Sequence, residues 1–180
     1  MMKNNHRALS WQGLTLLLGL MGMLMLSLSP AFAAPMQNDP EGFQGIPWGT
    51  LLKNVQNLVL VDTWEHIEEY QFKGGPPPLG EAPVESVKLS TIEGQFARAM
   101  IRYQGEKTHG RIMAYLQAQF GTIQRIPGSM VRGLNQQFNW RGSETEINLT
   151  YRAMGEQGYV FIESRTLAAR FNDTLPDHSF

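Results

Sequence analysis

Apolar and polar residues alternate along most of the chain after residue 43, and this period of two predicts short β-strands. The predicted strands outside the central hairpin are Ile67–Phe72, Gln136–Arg141, Glu144–Tyr151, Tyr159–Ser164 and the continuous apolar run Leu58–Val61. One segment differs, because Ile112, Met113, Leu116 and Phe120 recur at helical spacing over residues 108–120. The pattern therefore predicts an α+β fold: an antiparallel sheet of six or seven strands packed against one long helix.

Short helices are predicted near both ends of this domain. Pro47 and Gly49 turn the chain, and Thr50 can then cap a short helix over Leu51–Asn57. Trp48 precedes this helix, and we expect its side chain to pack into the core. Residues 165–171 can add a terminal helix.

The turn between residues 86 and 103 decides which side chains of a further hairpin share a face. A two-residue turn at Glu93-Gly94 would place Arg98 and Arg102 among the apolar side chains. A three-residue loop that adds Ile92, with Gly94 as a bulge, separates charged from apolar residues. We therefore predict the longer loop, with the cross-strand pairs Leu89–Ala97 and Val87–Ala99.

The polar side of this hairpin is the candidate binding surface. Its basic side chains Lys88, Arg98 and Arg102 have no acid between them, and they lie beside Phe96 and Met100. We call these five residues the predicted binding face. Such a surface fits an anionic or amphipathic partner, for example a carboxylate-bearing peptide, a phospholipid headgroup or an envelope glycan. The alternative is an ordinary solvated sheet face.

A second hairpin is predicted around Gly142-Ser143. If these two residues form the turn, Trp140 lies opposite Thr145 and Phe138 lies opposite Ile147. The acidic side chains of this hairpin, Glu144 and Glu146, would then face away from the core.

The first 33 residues have the pattern of a secretory signal peptide. Lys3 and Arg7 precede an apolar run over residues 14–28, and Ala31-Phe32-Ala33 follows Pro30. We expect cleavage between Ala33 and Ala34, because the apolar run is shorter than the roughly 20 residues of a spanning helix. An uncleaved membrane anchor is the alternative. We further predict a flexible leader over residues 34–42, a single domain over 43–171 and a frayed tail over 172–180.

Composition narrows the classes of function. The chain has no Cys, which excludes a disulfide framework, a cysteine-ligated metal and a thiol nucleophile. Residues 1–33 hold two of the 15 Lys and Arg and none of the 16 Asp and Glu, so the remainder carries 13 basic and 16 acidic side chains, a net charge of −3. This balance argues against nucleic-acid binding. We expect a bacterial periplasmic protein without a membrane span after cleavage.

Catalytic motifs are missing from the sequence. Neither a Gly-x-Ser-x-Gly elbow nor a glycine-rich phosphate loop occurs. The densest ionisable cluster spans residues 62–69, with His66 and four acids, but in an extended segment these side chains point to both faces. We therefore predict no catalytic residue, no metal and no cofactor.

Several short motifs resemble those of a group of small exported bacterial proteins. They are Phe43-x-Gly45-Ile46-x-Trp48-Gly49-Thr50, the helix end Phe120-Gly121, and Trp140-Arg141-Gly142 followed by Ile147-x-Leu149-x-Tyr151. The resemblance covers most of residues 43–167. It implies a single exported domain and no catalytic residue.

The sequence as a whole favours a non-catalytic exported domain that binds or assembles with a protein or an anionic envelope component. Its sheet face or an exposed strand edge would make the contact. Two alternatives remain. One is a periplasmic enzyme that uses the acids of Glu65–Glu69 with His66 or His109. The other is a carrier of a small apolar ligand, with a cavity between Ile112, Leu116 and the sheet.

Overall fold

Nine strands and two α-helices form within residues 36–123 and 135–174, the parts of the chain that the computed structural model describes. The predicted signal peptide lies outside these residues, as does the tail beyond residue 174. The elements are β1 Gly42–Phe43, β2 Ile46–Pro47, β3 Leu58–Trp64, β4 Ile67–Phe72, β5 Ser86–Ile92, β6 Gln95–Gln104, α1 Glu106–Phe120, β7 Asn135–Arg141, β8 Thr145–Arg152, β9 Gln157–Ser164 and α2 Arg165–Thr174.

The seven long strands form one antiparallel sheet in the order β3-β4-β5-β6-β9-β8-β7. The two-residue strands β1 and β2 pair separately. This arrangement confirms the predicted α+β fold, including the strand number and the single long helix. Sheet order follows the chain from β3 to β6, and β9 then returns to the centre between β6 and β8.

The main core lies between α1 and one face of the sheet. Ile112 and Leu116 are fully buried there, as the helical spacing predicted. The sheet contributes the alternate residues of β5, β6, β8 and β9, among them Leu89, Ile101, Leu149 and Val160. Burial of each such side chain contributes about 1.5–3 kcal/mol to folding, so this face accounts for most of the hydrophobic stabilisation.

Helix α2 covers one end of the opposite face. Its Leu167 and Ala168 pack on Ile67, Ile92 and Ala97 in a second, smaller cluster. The rest of that face is only partly buried. Helix α2 therefore covers one end of the polar side of the sheet through apolar contacts.

The β5–β6 turn differs from the predicted loop. Ile92 pairs with Gln95, so Glu93-Gly94 is a two-residue turn, and both of its residues have positive φ, 51° and 78°. A bulge between the pairs Thr91–Phe96 and Ser90–Arg98 leaves Ala97 unpaired. Because the extra residue reverses the alternation, Arg98 and every later residue of β6 face as predicted. The predicted pairs themselves were wrong, since Leu89 pairs with Ala99 and Val87 with Ile101.

The β7–β8 register is also displaced by two residues. Trp140 pairs with Ile147 and Phe138 with Leu149, so the predicted two-residue turn at Gly142-Ser143 was wrong. The connection includes Glu144, and the amide of Gly142 donates to the carbonyl of Thr145 at 2.9 Å. A shift of two residues keeps every side chain on its predicted face.

The segment before β3 forms less helix than predicted. A single 3-10 turn covers Leu52–Asn54, and no side chain caps it. The carbonyl of Thr50 accepts the amide of Phe96 at 2.9 Å, so this residue extends the sheet instead of capping a helix. Trp48 is half-buried and packs on Phe96, with ring centroids 4.7 Å apart, in agreement with its expected place against the core.

Candidate interaction surfaces

The basic residues of the predicted binding face share one side of the sheet. Lys88 pairs with Met100, and Arg98 and Arg102 lie opposite the two serines of β5. Phe96 does not belong to this side, because it is fully buried in the main core under Trp48. Its position before the bulge explains the error, since the alternation reverses between Phe96 and Arg98.

Acids from neighbouring segments pair with all three cations. Lys88 Nζ lies 2.7 Å from Glu69 of β4, Arg98 Nε lies 2.7 Å from Glu163 of β9, and Arg102 Nε lies 2.8 Å from Glu85. These acids come from neighbours in space or from just before β5, so the strands that carry the cations did not reveal them. Their charges largely compensate the basic surface on which the sequence prediction rested.

One polar pocket, of about 370 Å³, lies where this side of the sheet meets α2. Arg98, Arg141, Arg165, Glu146 and Glu163 line it, together with two alanines of α2. Arg98 pairs with Glu163, and Arg141 lies 3.7 Å from Glu146. Two of its three arginines are thus paired with acids, while Arg165 donates to the carbonyls of Gly142 and Ser143.

The acids and imidazoles considered for catalysis lie in separate contacts. Glu68 accepts the phenol of Tyr70 at 2.9 Å, and desolvation together with this bond raises the pKa of Tyr70 to about 12. Glu69 pairs with Lys88, while Glu65 and His66 lie exposed in the β3–β4 turn. Within the described ranges, no three His, Asp or Glu side chains are grouped so that they could hold a metal ion.

His109, in the first turn of α1, lies in a buried aromatic cluster. Its Nδ1 is 2.8 Å from the hydroxyl of Tyr103, its Nε2 is 3.3 Å from Oε1 of Gln136, and its ring stacks on Tyr151 with centroids 4.1 Å apart. Gln136 can only accept through Oε1, so Nε2 carries the proton and Tyr103 donates to Nδ1. Burial lowers the pKa of His109, opposed by the bond to Gln136 and by Glu106. The imidazole is thus held neutral between partners of β6, β7 and β8.

The apolar-carrier alternative needed a cavity between Ile112, Leu116 and the sheet. Both residues are fully buried within the main core. A pocket of about 310 Å³ lies elsewhere, between the β1–β2 segment and the far end of α1, where Phe43, Tyr115 and Phe120 contribute to its lining.

Residues 36–41, for which the sequence predicted a flexible leader, make defined contacts. The carboxylate of Asp39 accepts the hydroxyl of Ser143 at 2.9 Å, the amide of Glu144 at 2.8 Å and the amide of Thr145 at 3.1 Å. We call this set of bonds the Asp39 clasp. Desolvation raises the pKa of Asp39, but these hydrogen bonds outweigh it and lower the pKa below its ordinary value. A Cβ atom on Gly142 would overlap the carboxylate, so a larger residue there would displace Asp39 from the clasp.

Among the described residues, the largest group of exposed apolar side chains on one element lies on β3, which ends the sheet. In the described parts of the chain, no strand pairs with its outer side, which we call the β3 edge. Val59, Leu60, Val61 and Trp64 expose 43%, 48%, 43% and 42% of their surface. Four large apolar side chains on one strand of seven residues are an unusual concentration, since scattered single hydrophobes are the norm on protein surfaces.

Part of this surface could be found in the sequence and part could not. The run Leu58–Val61 predicted a strand, but the structure extends it through Asp62 to Trp64. A continuous apolar run commonly indicates a strand buried on both faces. Only the strand order shows that β3 lies at an edge, where such side chains remain exposed.

Comparison with known proteins adds no relative: no family model, no curated protein and no solved structure matches the chain. None of the helices in residues 36–123 and 135–174 is long and apolar enough to span a membrane.

Proposed function

We propose that this protein is an exported, non-catalytic interaction domain that binds or assembles with an envelope protein through the β3 edge. The observation that carries the proposal is the row of exposed apolar side chains on an unpaired edge strand. An edge strand offers unpaired N–H and C=O groups to an added strand, and its side chains select the partner.

The composition of β3 supports a binding role for this edge. Natural proteins protect free edges with lysine, proline or inward-pointing charge. β3 contains none of these, and Asp62 is its one charged residue. The charge of Asp62 and a bulge between Leu60 and Asp62 are the protective features within the strand. The edge is thus partly protected against random pairing yet keeps its apolar surface.

The predicted binding face is the weaker candidate for the same role. Its three cations are already paired with acids, and its largest apolar member, Phe96, lies in the core. A partner that used this face would have to displace those acids before it could pair with the cations. Binding at the β3 edge only removes water from its apolar side chains.

A capture experiment compares the two surfaces directly. The edge variant carries Val59→Lys and Val61→Lys, and the face variant carries Lys88→Ser, Arg98→Ser and Arg102→Ser. The full chain, tagged and expressed in its native host, is used to capture partners from an envelope extract. We expect the edge variant to lose the captured protein and the face variant to retain it.

Thermal unfolding of both variants shows that any loss of capture occurs in a folded protein. The opposite pattern, with capture lost only in the face variant, would contradict the proposal. Unchanged capture in both variants would contradict it as well.

The exported location has its own measurement. Cell fractionation followed by N-terminal sequencing is expected to give a periplasmic protein that begins at Ala34. Recovery from the cytoplasm with the first residues intact would contradict this part of the proposal.

A further inference from the structure

The two ends of the β3 edge carry opposite charge. At the Leu58 end lie Lys53, in the 3-10 turn that contacts β3, and Lys73, whose amide and Nζ donate to the carbonyls of Asn57 and Gln56. At the Trp64 end lie Asp62 and Glu65. All four side chains are exposed.

None of these four charges is neutralised within the described part of the protein. The ion pairs found there involve other residues, and the carboxylate of Asp62 accepts only the neighbouring amide of Thr63. This contrasts with the polar side of the sheet, where Lys88, Arg98 and Arg102 all have acidic partners. The β3 edge is therefore a strand with an uncompensated basic end and an uncompensated acidic end.

We infer that the occupant of the β3 edge is a second copy of this chain, paired antiparallel about a two-fold axis. In that arrangement the Leu58 end of each strand lies beside the Trp64 end of the other, so both basic ends meet acidic ends. The inference rests on the proposed function, because it names the partner of the same edge. A two-fold contact is the commonest way in which a protein binds its own copy.

The apolar side chains fit the same arrangement. Val59, Leu60 and Val61 lie between the two charged ends, and Trp64 lies at the acidic end beside Asp62 and Glu65. Because successive side chains of a strand point to opposite faces of the sheet, two copies would bury apolar surface on both faces of the joined sheet, flanked by ion pairs. A partner segment with one sign of charge fits less well, because either Lys53 and Lys73 or Asp62 and Glu65 would repel it.

The bulge sets the strength of the contact. It interrupts the regular strand between Leu60 and Asp62, so the ladder between copies is limited to a short stretch on each side. Small interfaces of this kind are weak and reversible. We expect a dimer that dissociates in the micromolar range and that weakens with added salt.

Charge reversal provides a sharp test. The basic variant carries Asp62→Lys and Glu65→Lys, and the acidic variant carries Lys53→Glu and Lys73→Glu. Protein purified after expression of the full chain is studied by sedimentation velocity from about 1 µM to 1 mM, a range that brackets weak dimers. Each variant alone is expected to self-associate at least tenfold more weakly than the wild type, because like charges then meet.

A one-to-one mixture of the two variants is the decisive sample. The basic edge of one and the acidic edge of the other are complementary, so the mixture is expected to form a heterodimer at least as tight as the wild-type dimer. A control variant carries Glu81→Lys and Glu144→Lys at other exposed sites. Its net charge changes by the same amount as that of the basic variant. It is expected to dimerise as the wild type does.

The outcomes separate this inference from the proposed function. A wild type that stays monomeric throughout the concentration range, or a mixture that associates no better than its components, overturns the second-copy inference. If the edge variant with Val59→Lys and Val61→Lys still loses a captured protein in that case, the binding role of the edge stands and only its occupant is wrong.

Discussion

The two strands that end the sheet differ in how they are held. β7 is mostly polar, and its Trp140 is buried, with Nε1 donating to the carbonyl of Gly121 at 2.8 Å. Gln136 of the same strand contacts His109, and the connection that follows β7 is held by the Asp39 clasp. β3, by contrast, exposes most of its apolar residues and contacts the main core chiefly through Leu58.

On the proposed function, this difference separates the residues that stabilise the fold from those that bind a partner. The same residue type has opposite consequences at the two edges: Trp140 is part of the core, while Trp64 faces solvent. Substitutions near β7 should therefore lower the free energy of unfolding, whereas substitutions on β3 should change association and leave unfolding almost unaffected.

The largest effect is expected from Trp140→Ala. The change removes a buried indole together with its bond to Gly121, and we expect a loss of about 3–5 kcal/mol in the free energy of unfolding. Urea denaturation monitored by circular dichroism measures it. A loss below about 1 kcal/mol would show that the burial of Trp140 and its bond to Gly121 do not hold β7 in place.

The Asp39 clasp comes next in size. Asp39→Ala removes three hydrogen bonds to a carboxylate, and we expect a loss of about 2 kcal/mol at pH 7. Because the folded state lowers the pKa of Asp39, the stabilisation is present above its unfolded pKa and disappears as pH falls through the folded pKa. Denaturation at pH 7 and at pH 2–3 should show the difference between wild type and variant shrinking in acid.

Asp62→Ala provides the matched control, since this exposed acid lies on β3 and accepts only the amide of the next residue. We expect it to leave stability nearly unchanged at both pH values. A loss equal to that of Asp39→Ala would remove the contrast between the two edges.

The His109 cluster predicts a pH dependence in the neutral range. Burial lowers the pKa of His109, so the unfolded state binds more protons below about pH 6.5, and stability declines as pH falls. The slope is up to about 1.4 kcal/mol per pH unit until the folded pKa is reached. We expect His109→Gln to flatten the profile between pH 7 and pH 5, whereas His66→Gln, in the exposed β3–β4 turn, leaves it unchanged.

The smallest effect is expected from Trp64→Ala. With 42% of its surface exposed, Trp64 is partly packed, and its truncation should lower the free energy of unfolding by at most about 1 kcal/mol. The same change should weaken self-association in sedimentation velocity. Substantial destabilisation with unchanged association would reverse the roles assigned to the two edges.

Side-chain patterning was sufficient to predict the fold class, the strand number and the faces of most strands. Both hairpins were predicted with registers about two residues away from those observed, yet their faces were right, because the period of a strand is two. The bulge at Ala97 was the exception. Nothing in the sequence marks it, so Phe96 and Ala97 were assigned to the wrong faces.

The candidate sites were harder to predict than the fold. Glu69 and Glu163 reach Lys88 and Arg98 from neighbouring strands, so these two pairs depend on strand order, whereas Glu85 lies just before β5 in the same hairpin as Arg102. The exposure of β3 depends on the same information. Residues 36–41 contain few apolar side chains, and their contacts come from polar groups that hydrophobic patterning does not register.

The Asp39 clasp joins residues 104 to 106 positions apart in the chain, and Arg165 holds the same connection by donating to the carbonyls of Gly142 and Ser143. Contacts of such high contact order form late, because a long loop must close first. A polypeptide that emerges one end first, from a ribosome or through a translocation pore, cannot close these bonds until nearly its whole length is available. The contacts of Asp39 and Arg165 with the β7–β8 connection therefore close only after most of the chain has emerged.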